Sequence, residues 1–202
     1  PAFVQINHSG SAIYGKELLD VEGFQPLAPS ALPHPALPHV RPRAMTEGEV
    51  AALPETYAAA AGRAVRAGYR GVQIHACHGF LLGQFLSPLT NVRTDRYGGD
   101  IQGRARLLFE IFEAVRSVVD ADLPVSVRLG AADTFPGEKP QGLTIGESCR
   151  VAGELAALGV DDPLHGLREL DLQAAGKVEL VIVLHHVRHA ALAGLAVDAD
   201  DR

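Results

Sequence analysis

Two histidines and a cysteine stand together in GVQIHACHGFLLGQFLSP, residues 71–88. His75 closes a short apolar run, and His78 follows on the turn that such a run needs. Both side chains can then face one pocket. Two imidazoles converging there can donate hydrogen bonds to one oxygen and polarise a carbonyl. Two other readings compete. One or both histidines can be buried and satisfied by their neighbours, the commoner fate of a strand-end histidine. His75, Cys77 and His78 are also all metal-ligand types, although their spacing matches no structural zinc pattern and no second ligand cluster follows. Arg128, inside the apolar run VSVRLG, is costly to bury unless it meets an anion or a polar cofactor. The plainer alternative pairs it with a carboxylate such as Asp133. Gln5 in FVQIN raises the same question with a neutral amide. RTDRYGGD, residues 93–100, lacks the lysine and spacing of a phosphate-binding loop and reads better as a structured turn around Gly98 and Gly99.

The elements that carry these residues are legible from periodicity and capping. Residues 2–7 read as a short buried strand that runs into a polar loop. The proline-rich stretch 25–43 excludes regular helix and central strand and reads as a long surface loop. TEGE at 46–49 has capping-box spacing and predicts a helix to about Ala67, kinked at Pro54 and ended by Gly68. Residues 71–75 then read as a strand. The amphipathic helix 101–119 puts Leu108, Ile111, Phe112, Val115 and Val119 on one face. Residues 123–130 form the next strand, and TIGE at 144–147 caps a helix that runs to Leu158. Alternating strands and helices imply parallel strands joined by crossovers, in a barrel or an open sheet. In a barrel, the C-terminal strand ends that hold Gln5, His75 and Arg128 form the active-site face. Beyond residue 161 the pattern fails: DDPLHGLRELD is a poor strand, and residues 178–187 fit a buried strand or a short helix equally well.

Composition narrows the function classes. The 202 residues suffice for one sizeable domain or a large piece of one. A net charge of -6 argues against general nucleic-acid binding. Cys77 and Cys149, the only cysteines, exclude a disulfide framework and a four-cysteine metal or iron–sulfur site, which points to a reducing, cytoplasmic setting. No apolar run is long enough to cross a membrane. The abrupt start at Pro1 reads as a fragment, or as a chain whose true start is missing.

From residue 71 to residue 116 the chain resembles the Old Yellow Enzyme family of flavin-dependent ene-reductases (NADH:flavin oxidoreductases). The motifs that carry the resemblance are H-x-x-H-G-F-L-L-x-Q-F-L-S-P, then N-x-R-x-D-x-Y-G-G, then R-x-R leading an amphipathic helix. Weaker agreement in VQINHSG, APSALP, PRAMTEGEV, VSVRLG and LTIGESCRVAGELAALGVD extends it over residues 3–161. The resemblance implies an α/β fold: a partial (β/α)8 TIM barrel of about strands three to five or six of the family barrel. Residues 1–161 would be the FMN-binding domain and residues 162–202 a divergent tail, from a truncated or frameshifted reading frame.

The implied activity is reduction of the C=C bond of α,β-unsaturated carbonyl compounds, with FMN as cofactor and NADH or NADPH as reductant. By the same resemblance His75 and His78 bind the substrate's carbonyl oxygen. Gln5 contacts the flavin's pyrimidine edge, and Arg128 lies near flavin N1 and the C2 carbonyl. The implied partner is a small molecule, with no nucleic acid or membrane, and a homo-oligomer is compatible with the family. Four positions depart from the pattern: Phe80 replaces the tyrosine proton donor of many members, Gly103 an asparagine, Asp100 a serine and Ser11 an arginine. The family's first two strands and its phosphate site have no counterpart here, so impaired activity is expected of the fragment. The alternatives are a non-catalytic barrel remnant that binds no flavin, and an unrelated metal-dependent barrel using His75, Cys77 and His78.

Overall fold

The computed structural model describes residues 2–133 and 142–158. The expected tail, residues 162–202, and the ambiguous stretch 178–187 lie outside the described residues. Three strands, β1 (Val4–Ile6), β4 (Val72–Ala76) and β5 (Val125–Leu129), lie side by side in that order, all parallel. Parallel neighbours need crossovers. The first crossover contains α3 (Leu53–Arg66), and the second contains α4 (Leu81–Leu86) and α5 (Ile101–Val118). The architecture is that of a partial α/β barrel.

Register explains why the two sheet faces differ. Side chains alternate along a strand, and Gln5 pairs with Gln73, Gln73 with Ser126, and His75 with Arg128. One face therefore carries Val72, Ile74, Ala76, Val125, Val127 and Leu129, all buried. They share one core with Tyr57 and Ala61 of α3 and with Leu108, Ile111 and Phe112 of α5. Each large apolar side chain so removed from water contributes about 1.5–3 kcal/mol. The opposite face carries Gln5, Gln73, His75, Ser126 and Arg128, and is polar. In a closed barrel that face is the interior.

The capping boxes form as the spacing predicts. Thr46 and Glu49 cap α2 (Glu47–Ala51), and Thr144 and Glu147 cap α6 (Ile145–Ala157). The helix expected from 46 to 67 is two helices rather than one kinked helix. α2 ends at Ala51, and Pro54 sits in the first turn of α3, where its missing N–H costs nothing. Gly68 ends α3 at φ 90°, with Gly68 N donating to Val65 O and Tyr69 N to Ala64 O. At the start of α5, Asp100 caps through Gly103 N at 3.0 Å. A Cβ on Gly103 would collide with the Gly98 carbonyl.

The proline-rich stretch is not a surface loop throughout. Pro26, Pro29, Ser30, His34, Val40 and Pro42 are buried, and two short strands, β2 (Leu27–Ala28) and β3 (Arg43–Ala44), pair in parallel across it. A further short helix, α1 (Lys16–Leu19), precedes it. RTDRYGGD explains the burial. Arg93 donates to the carbonyls of Pro29 (2.8 Å) and Met45 (2.6 Å), and Asp95 neutralises it. The turn is a clasp on the loop rather than a phosphate site. No helix among the described residues is long and apolar enough to cross a membrane.

Candidate active site

β4 delivers His75 to its C-terminal end, where the ring is 3% exposed, and the chain then turns sharply. His78 takes φ 58° and Gly79 φ 70°. A left-handed histidine is uncommon and is tolerated where the surroundings over-determine it, as at functional turns. The turn brings His78 Nδ1 to 3.1 Å from His75 Nε2, with ring centroids 4.9 Å apart. Phe80 meets His75 edge-on at 5.2 Å. Two ring nitrogens this close either share one proton or together present N–H groups to a third atom.

The turn is held from two sides. Gln84, buried on α4, donates to Gly79 O (2.6 Å) and Ser9 O (3.2 Å), and its Oε1 accepts from Ser11 N (3.2 Å). One amide thus joins the loop after β1 to the histidine turn, and Leu81 N adds a bond to His8 O at 2.9 Å. From the proline-rich stretch, buried His34 packs against Gly79 so closely that a Cβ there would strike its Nε2. Burial lowers the pKa of His34, while the Gly79 backbone hydrogen bond and the charge of Asp133 pull it part of the way back. Burial also lowers that of His8. The imidazoles of the frame are biased toward their neutral form.

One register step below His75, a polar ladder crosses all three strands. Gln5 Nε2 donates to Gln73 Oε1 (2.6 Å), and Gln73 Nε2 donates to Ser126 Oγ (3.2 Å). Arg128, half-buried, stands on the same face as this ladder and level with His75. Asp133, the carboxylate considered for Arg128, accepts from Ser87 Oγ (2.5 Å) and Leu143 N (2.8 Å). This donor set suits a flavin. A glutamine amide can both donate to and accept from a pyrimidine edge, and a guanidinium on the same face complements electron-rich carbonyl oxygens. Among the described residues, one His/Cys/Asp/Glu group has metal-binding spacing, and it is His75, Cys77 and His78.

The structure thus brings His75 and His78 to one point and sets Gln5 and Arg128 on the face that His75 shares. Sequence reasoning missed Gln84, His34, Gln73 and Ser126. Gln84 was detectable as an amide inside the apolar run LLGQFL, and Gln73 and Ser126 as the period-two partners of His75 and Arg128. His34 had no sequence signal, because its role depends on how the proline-rich stretch folds back.

The model of the NADH:flavin oxidoreductase / NADH oxidase family matches residues 1–170, running past the boundary expected at 161. An NADH:flavin oxidoreductase of Gibberella zeae is 37% identical over 156 residues, which cover 74% of this chain and 36% of that protein. Among solved structures, morphinone reductase superposes with a TM-score of 0.65 at 34% identity, covering 77% of this chain and 44% of its own. It has also been solved in complex with tetrahydroNAD. Old Yellow Enzyme from a Pichia species matches with a TM-score of 0.65 at 34% identity, covering 77% of this chain and 43% of its own. The chain spans about a third to a half of the length of these relatives. It belongs to the NADH:flavin oxidoreductase / NADH oxidase family, the family of Old Yellow Enzyme, whose cofactor is FMN.

Proposed function

We propose that the protein is an FMN-dependent NAD(P)H oxidoreductase that reduces the C=C bond of α,β-unsaturated carbonyl compounds, with residues 1–161 as its flavin-binding part. The observation that carries this reading is the 3.1 Å approach of His75 Nε2 and His78 Nδ1 on a polar barrel face. FMN, when bound, supplies the hydride it receives from NADH or NADPH. His75 and His78 give up their mutual contact and donate to the substrate's carbonyl oxygen, which draws electron density from the conjugated alkene. Gln5 and Arg128 would hold the flavin, the amide at its pyrimidine edge and the cation near N1 and the C2 carbonyl, where it would offset negative charge. Phe80 has no proton to give, so the one proton that the α-carbon takes up comes from solvent. The substrate is a small molecule, the setting a reducing cytoplasm, and a homo-oligomer fits this reading. Membership of a flavin family removes the ground for an unrelated metal-dependent barrel.

The test starts with the full chain and added FMN. A yellow complex is expected, bleached by NADPH or NADH without oxygen and restored by cyclohexenone. The double variant His75→Ala/His78→Ala is expected to keep the flavin and to be restored about 10²–10³-fold more slowly. A chain that takes up no FMN would be a non-catalytic remnant. A double variant as fast as the parent would remove the histidines from the mechanism.

A further inference from the structure

The histidine pair has a third neighbour that carbonyl binding does not use. Cys77 lies between the two histidines in sequence and is 5% exposed. Its Sγ is 3.5 Å from His78 Nδ1 and 3.7 Å from His75 Nε2. With the 3.1 Å between the nitrogens, the three donor atoms form a small triangle whose two N···S sides are longer than its N···N side. A tetrahedral zinc ion with Zn–N of about 2.0–2.1 Å and Zn–S of about 2.3 Å requires N···N of about 3.3 Å and N···S of about 3.5 Å. All three observed separations lie within about 0.2 Å of those values. Without an ion, a shared proton and thiol hydrogen bonds hold the same three atoms together; a cation would replace those protons at one centre.

We propose that His75, Cys77 and His78 form a site for a zinc-class divalent cation, with His75 Nε2, His78 Nδ1 and the Cys77 thiolate as ligands. Two nitrogens and one sulfur suit a borderline-soft ion. They offer nothing to calcium or magnesium, which require oxygen ligands. Three protein ligands leave a fourth position for water. Binding displaces the thiol proton to solvent and engages the nitrogen lone pairs, so neither ligating nitrogen can donate to a carbonyl while the ion is bound. In the reading proposed above, the cation would then act as an inhibitor that excludes the substrate's oxygen. The site itself needs neither flavin nor substrate, so a chain that fails to take up FMN still tests it.

The experiment uses the reduced full chain, titrated with Zn²⁺ against a chromophoric chelator and with Co²⁺ followed by absorbance. Equimolar binding is expected, with a thiolate-to-cobalt charge-transfer band. Cys77→Ser should abolish the band and weaken Zn²⁺ binding by at least ~100-fold, more than the loss of an outer-shell contact costs. Cys149, exposed on α6, is the other thiol, and Cys149→Ser should leave both signals unchanged. His78→Gly keeps the turn foldable, because glycine adopts its positive φ freely, and it too should weaken Zn²⁺ binding by a similar factor. No equimolar binding by the parent chain would overturn the proposal. So would a band that survives Cys77→Ser or vanishes with Cys149→Ser, or unchanged Zn²⁺ affinity in His78→Gly.

Discussion

Phe80 is the residue at which the site departs most from the chemistry it inherits. Its ring stands edge-on to His75, within the same turn that brings the two imidazoles together. A hydroxyl on that ring would place a proton donor beside the bound substrate. Phe80→Tyr is therefore expected to speed re-oxidation of the reduced flavin by cyclohexenone by about 10²-fold, the low end of general-acid effects. Stopped-flow absorbance reads the rate directly, and an unchanged rate would show that this ring does not face the reacting carbon. His75 and His78 could be singled out in the sequence because they flank a strand end. Their convergence on one pocket was one of several readings the sequence allowed; the left-handed backbone at a non-glycine residue that produces it was not legible.

Among the elements, α4, α5 and α6 are tied through one buried cation. Arg104 on α5 donates to Leu86 O (2.8 Å) at the end of α4, to Gly99 O (2.7 Å), and to Glu147 (2.5 Å) in the cap of α6. Burial alone would raise the pKa of Glu147, but hydrogen bonds from the Thr144 backbone and from Arg104 outweigh it and hold the carboxyl below its usual value. A carboxylate whose folded pKa is depressed contributes stability that is complete above the unfolded value and lost as pH falls below it. Arg104→Met is expected to cost about 3 kcal/mol in urea unfolding near neutral pH, with a smaller loss at acid pH where Glu147 is protonated. Equal losses at both pH values would show that Arg104 acts through its carbonyl contacts alone. The capping boxes that start α2 and α6 were legible because four residues decide them. The break between α2 and α3 was not, because Pro54 suits a kinked helix and a new first turn alike until the packing is known.

For the whole molecule, β1 and β5 each pair on one side only among the described residues. Unpaired strand edges are a liability, and a flavin held by Gln5 and Arg128 would bridge β1 and β5 across β4. FMN at about 100 times its Kd is therefore expected to stabilise the fold by about 2.7 kcal/mol, read as a rise in Tm by differential scanning fluorimetry. Arg128→Met should reduce that rise, and a parent Tm indifferent to FMN would contradict flavin binding across this sheet.

The alternation of strands and helices, the two capping boxes and the polar positions within apolar strands were determined by the sequence itself, because each depends on residues a few places apart. Family membership was legible for the same reason, in the dense run of motifs from residue 71 to residue 116. Tertiary structure alone decided the buried course of the proline-rich stretch and the role of Gln84 in joining two loops distant in sequence. It also decided the meeting of His75, Cys77 and His78 at one point. These depend on backbone dihedrals and long-range packing, where separate segments must agree on one geometry before any side chain acquires its partner.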